Sequence, residues 1–109
     1  MFIRIITVPA REIAFENLES IRKTLVEENY RALKEQKGWK KTVVMYNQEK
    51  KQFKVITYWS SKEQAGVLDE RDPELSSSAY IQVGKHAEYF ENENLTVEHY
   101  DHLETIENT

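Results

Sequence analysis

The chain of 109 residues contains no cysteine. That excludes a disulfide framework, a thiolate metal site and a cysteine nucleophile, and it agrees with a reducing compartment. Glycine is scarce, at three residues, and no Gly-rich phosphate loop, G-x-S-x-G elbow, H-E-x-x-H helix or acidic calcium loop occurs. Nucleotide, serine-hydrolase and zinc-protease chemistries therefore lack their residues. No apolar run approaches the ~18 residues of a membrane span, and the opening MFIRIITVPARE lacks the pattern of a signal peptide. Basic charge is not in excess either. The net charge is −4, with Lys and Arg spread along the chain, so there is no electrostatic footprint for nucleic acid or an anionic membrane. The expectation is a cytoplasmic protein with neither partner.

What is present, 39% hydrophobic and 31% charged side chains, fits one compact domain. A domain of this size buries only roughly 60–68% of the surface it exposes unfolded, so covering a sheet face with a second copy would stabilise it.

Phe2 to Val8, FIRIITV, is β-branched and apolar, and Pro9 ends the run because it has no N–H to continue a ladder. This predicts a first strand. From Glu12 to Gln36, Ala14, Leu18, Ile21, Leu25, Ala32 and Leu33 recur at helical spacing before Gly38, which predicts one long amphipathic helix, or two with a bend near Asn29. Trp39–Tyr46 and Phe53–Trp59 read as strands joined by the polar run 47–52. In the second, Phe53, Val55, Thr57 and Trp59 share one face, Ile56 and Tyr58 the other. Two overlapping capping boxes, Ser60 with Glu63 and Ser61 with Gln64, open a short helix. Asp72-Pro73 starts another, carrying Leu75, Ala79, Val83, His86, Ala87 and Phe90 on one stripe and ending near Asn92. Leu95–His102 is a last strand.

The order β, α, β, β, short α, α, β predicts an α+β fold of the ferredoxin-like, split βαβ kind. This is a four-stranded antiparallel sheet with its main helices on one face, a single domain over residues 1–102 followed by a polar C-terminal tail at 103–109. The apolar residues on the other face need cover, most commonly from a second copy across a two-fold axis. A homodimer is predicted.

Gly38-Trp39 leading into a strand, the stretch Val55-Ile56-Thr57-Tyr58-Trp59-Ser60-Ser61-Lys62-Glu63, and His86 in the final helix resemble the antibiotic biosynthesis monooxygenase-like family of dimeric α/β-barrel proteins. The likeness runs over nearly the whole chain. It implies two sheets closing into a barrel across a homodimer, with a ligand pocket in each subunit between sheet and helices. Some members oxygenate phenolic or quinol-type polycyclic substrates with neither metal nor flavin, some open haem, and many have no assigned activity. The haem-opening branch expects an Asn on the first strand, a Trp in the short helix and a haem-ligating His at the start of the long helix. Here Thr7, Leu68 and Ser78 stand in those places, so no cofactor and no metal is expected.

Two readings of function follow. One is a cofactor-independent monooxygenase of a small or polycyclic phenol or quinol. In it His86 accepts the phenol proton near pH 7, Tyr58 or Tyr80 orients the phenol, and Trp59 and Val83 wall the pocket. The other is a non-catalytic dimeric protein of the same fold that binds a small aromatic ligand or serves a stress response. The site residues have plainer roles as well: Trp59 as a packing anchor whose N–H finds an acceptor, His86 as a hydrogen-bonded core or interface residue. His99 and His102, three apart on a strand, point to opposite faces and cannot share a metal ion.

Overall fold

A computed structural model of the chain describes residues 1–66, 88–91 and 94–108. Most of the predicted helix opened by Asp72-Pro73, with Tyr80, Val83 and His86 on it, lies outside the described residues, as do Leu68 and Ser78. Its expected end near Asn92 is corrected by the structure: Phe90 is not helical but bridges Ala10, with Arg11 N–H donating to Tyr89 O at 2.8 Å and Glu91 N–H to Pro9 O at 2.9 Å.

Strands β1 (Phe2–Pro9), β2 (Trp39–Asn47), β3 (Gln52–Trp59) and β4 (Thr96–Asp101) form one sheet of order β2-β3-β1-β4, antiparallel at every pairing. The four-stranded ferredoxin-like sheet is therefore as expected. β1 and β3 alternate strictly between buried and half-buried positions, because each residue points to the face opposite its neighbour's. Phe2, Arg4, Ile6 and Val8 on β1 share the inner face with Phe53, Val55, Thr57 and Trp59 on β3. Ile6, Val8, Phe53 and Val55 pack there with Ile21 and Leu25 of the helical segment, while Phe2 and Trp59 join Leu33 and Ala65 in a second cluster. Phe53 stacks on Phe15 with ring centroids 5.2 Å apart and meets Phe90 edge-on at 5.8 Å.

The helical region departs from both expected forms, one long helix or two with a bend near Asn29. α1 (Glu12–Phe15) stops at Glu16–Asn17, where the Asn17 amide turns back to Ile13 O at 2.8 Å. α2 (Leu18–Arg22) then passes into a π-helical stretch, Lys23–Glu28, before α3 (Asn29–Leu33). Asn29 closes that wide turn, its side chain donating to Leu25 O at 2.9 Å. α4 (Lys62–Gly66) begins after Ser61, whose hydroxyl accepts the Gln64 N–H at 3.3 Å. Of the two overlapping capping boxes only half of the second is formed: Ser61 caps the helix, while Gln64 Oε1 makes no return bond. Among the described residues no helix is long and apolar enough to cross a membrane.

No described element covers the outer face. The pairing sets Ile5 of β1 beside Ile56 of β3 and Ile3 beside Tyr58, with Val43 of β2 next to Ile56. Polar groups stand toward the sheet edges: Lys41 on β2, its ammonium 4.6 Å from the Tyr58 ring centroid, and Glu98 on β4. Tyr100 donates to Glu98 Oε2 at 2.6 Å, and this hydrogen bond, with the carboxylate's charge, holds its phenol above the ordinary value.

Candidate functional site: a cleft between the helical segment and an edge strand

Two local irregularities face each other across one side of the molecule. On β2 the pairing slips between Trp39, opposite Trp59, and Lys41, opposite Tyr58. Lys40 is thus the extra residue of a β-bulge, which turns Trp39 inward and leaves both lysines exposed. Opposite stands the π-helical stretch, whose extra residue per turn re-aims Leu25, Val26 and Asn29. Both kinds of irregularity are over-represented at functional sites.

Between them opens a cleft. Its larger chamber, about 400 Å³, is walled by Leu25, Val26, Leu33 and Val44, with Tyr30 and Trp39 at one end and Lys40 and Lys41 at the rim. A second chamber of about 260 Å³ adjoins it across Val26 and Val44 and runs toward Tyr46 and Phe53. Tyr30 and Trp39 meet edge-on at 6.0 Å. The Trp39 indole N–H donates to Thr42 Oγ1 at 2.9 Å, so the aromatic end is fixed by its own hydrogen bond. A mostly apolar trough with a few polar groups at its rim and a volume of several hundred Å³ suits a small aromatic molecule. No His or Asp lines either chamber among the described residues, and no described group of three His, Cys, Asp or Glu could hold a metal ion.

Of the residues expected at a site, Tyr58 and Trp59 are described, and they project from opposite faces of β3. Trp59 is 0% exposed, and its N–H donates to Thr57 Oγ1 at 2.9 Å. The Arg4 guanidinium lies over its ring at 5.9 Å and donates to Ala65 O. Trp59 therefore joins β3 to α4 and offers the cleft no surface, while Tyr58 faces outward. Thr7 also lies on the outer face, paired with Lys54 and Thr96. His99 stands on the inner face beside Arg4, its ring stacked on Phe2 at 5.5 Å, and His102 bonds Thr105 Oγ1 beyond the strand, so the two do not converge. The cleft residues carried one sequence signal, the Lys40-Lys41 doublet that interrupts alternation after Trp39. For the π-helical stretch, Asn29 in a helical run was the only hint.

Gly38 links this cleft to α4. Its φ of +88° suits glycine, its carbonyl accepts the Ser60 N–H at 2.8 Å, and a Cβ there would stand 2.9 Å from Gln64 Cβ and closer still to the end of that side chain. Gln64 Oε1 is buried there without a hydrogen-bond partner. Gly38→Ala is expected to cost about 2–4 kcal/mol in urea unfolding, from left-handed strain of about 1–2 kcal/mol and an overpacked contact. Adding Gln64→Ala should recover only the contact part. A loss below about 1 kcal/mol would show that the Gly38 backbone can relax.

No protein-family model matches the sequence, and no curated protein does. Solved structures do match. A Deinococcus radiodurans protein described as a candidate antibiotic biosynthesis monooxygenase is 19% identical, with a TM-score of 0.66 over 100% of this chain and 99% of its own. A haem-degrading protein of Mycobacterium tuberculosis, solved with two haems in its active site, is 12% identical, with a TM-score of 0.65 over 98% of this chain and 100% of its own. A dimeric ferredoxin-like protein from an uncultured marine organism is 16% identical, with a TM-score of 0.64 over 99% and 100%. At these identities the likeness is one of architecture. The chain adopts the ferredoxin-like α+β fold of the antibiotic biosynthesis monooxygenase-like proteins.

Proposed function

We propose that the chain works as a homodimer that takes a small phenol- or quinol-type aromatic into the cleft between the π-helical stretch and β2, and oxygenates it without metal or flavin. The observation that carries this reading is the cleft itself, apolar along its walls with Tyr30 and Trp39 at one end. The apolar middle of the sheet face that no described element covers, and the dimeric protein of the same fold, support the homodimer. The relatives described as monooxygenases support the reaction class.

In such a reaction the substrate supplies every electron. A hydroquinone deprotonates, its phenolate carbon adds dioxygen, and the hydroperoxide loses water. One oxygen atom remains as the new carbonyl of a hydroxyquinone and the other leaves as water. The protein holds the ring near dioxygen, excludes bulk water and accepts the first proton. We assign that proton to His86, with Tyr80 and Val83 on the same predicted helix as orienting and lining groups. Oxygen uptake across a panel of quinols should fall at least tenfold in His86→Ala. Unchanged turnover would remove His86 from the mechanism.

The described cleft also favours a second reading, since no imidazole lines it and its one carboxylate, Glu19 of the second chamber, is paired with Arg22. As a binding protein the chain would be stabilised by aromatic ligands, by about 2.7 kcal/mol at a ligand concentration of 100 Kd, without consuming oxygen. Haem does not fit the described residues. Neither chamber is lined by His, the chain has no cysteine, and the one Asn in the cleft spends its amide on Leu25 O.

A further inference from the structure

Beyond β4 the backbone donates once more to the sheet, His102 N to Met1 O at 2.9 Å, and then runs free. Leu103 is 98% exposed and Ile106 93%. Two aliphatic side chains so fully in water, alternating with Glu104 and Glu107, match a surface that is apolar with a basic rim. The cleft is such a surface: Val26, Leu33 and Trp39 line it, and Lys40 and Lys41 edge it.

Sheet topology says whose cleft it is. Asp101 of β4 and Trp59 of β3 both pair with Phe2, and Trp39 of β2 pairs with Trp59, so the end of β4 and the start of β2 stand at the same end of the sheet on opposite edges. When two outer faces pack, a two-fold axis along the strands lays β4 of one protomer over β2 of its partner and keeps those ends together. An in-plane axis across the strands would instead set β4 on β4 and β2 on β2. Charge selects the first. β4 and the segment after it carry Glu98, Asp101, Glu104 and Glu107, whereas β2 and its approach carry Lys37, Lys40 and Lys41. Stacked sheets are ~10 Å apart, and the five residues 102–106, extended, span roughly 16 Å, enough to pass the edge of the partner's β2.

We propose that residues 102–108 of each protomer reach round β2 of its partner and seat Leu103 and Ile106 over the mouth of the partner's cleft, with Glu104 and Glu107 against Lys40 and Lys41. Each chamber is then complete only in the dimer, closed by the other chain. The inference rests on the homodimer reading above.

The cysteine-free chain allows a direct test. Ile106→Cys protein mixed with Tyr30→Cys protein and oxidised should run as a covalent dimer on a non-reducing gel. A mixture of Ile106→Cys with Glu49→Cys, whose partner cysteine lies in the hairpin at the far end of the sheet, should not. In a Cys-free background, Leu103→Ser with Ile106→Ser should raise the dimer dissociation constant at least about tenfold by sedimentation. A wild-type dimer that gives no Ile106–Tyr30 cross-link overturns the tail placement and leaves the homodimer standing. A bond formed within one chain by a protein carrying both Tyr30→Cys and Ile106→Cys overturns the placement as well. A wild-type monomer at micromolar concentration overturns the homodimer reading, and this inference with it.

Discussion

Trp59→Ala should lower the free energy of folding by about 3–5 kcal/mol, the range for deleting a fully buried aromatic side chain. The indole is 0% exposed and packs with Phe2, Leu33 and Ala65. Its removal opens a cavity and leaves Thr57 Oγ1 without its N–H donor. It also takes away the ring under the buried Arg4 guanidinium, which crosses from β1 to α4. For a domain near 100 residues the midpoint of thermal unfolding should fall by roughly 15–30 °C. Trp59→Phe keeps much of the volume and should cost less. It also leaves Trp39 as the only indole, so its fluorescence then reports on the cleft alone. The experiment separates the two roles the sequence allowed Trp59. A pocket wall would weaken ligand binding while leaving the urea midpoint nearly unchanged, and a loss below about 1 kcal/mol would reject the anchor.

How much of this could be read from residues alone differs from element to element, for physical reasons. β1 and β3 were legible because a strand covered on one side must alternate, and FIRIITV and FKVITYW place their bulkiest buried groups two apart. α4 was legible because a helix start leaves N–H groups that Ser61 can satisfy locally. The cleft was not, because its shape comes from two departures from period. A π-helical turn has no residue signature beyond weak helix formers, and the Lys40 bulge is set by pairing with β3, a contact distant in sequence. Arg4 shows the same limit from the other side. A charge inside an apolar strand looks like a solvent-facing position, yet Arg4 is 1% exposed, because Ala65 O and the Trp59 ring receive it. The segment after β4 was polar by composition, and only its exposure in the fold set Leu103 and Ile106 apart.

Ile56→Glu should convert the protein to a monomer, with a dimer dissociation constant raised more than about a thousandfold. Ile56 stands in the middle of the face that no described element covers, beside Ile5 on β1 and Val43 on β2. Four strands ~4.8 Å apart and ~20 Å long give the whole face about 400 Å², and its apolar middle is formed by Ile3, Ile5, Val43 and Ile56 between polar edges. If a second copy covers it, two-fold symmetry brings in the substitution twice. Each copy loses roughly 1.5–3 kcal/mol of apolar transfer and must also desolvate a carboxylate. Together these exceed the ~4 kcal/mol that corresponds to a thousandfold change. Light scattering at about 10 µM should move from twice the chain mass of 12.9 kDa to that mass itself. The folded protomer should survive, because Ile56 is half-exposed without a partner, and circular dichroism would check this. A variant that stays dimeric places the interface elsewhere. The Ile56 face would then be a docking surface for another molecule, and the cleft would be open in the working protein.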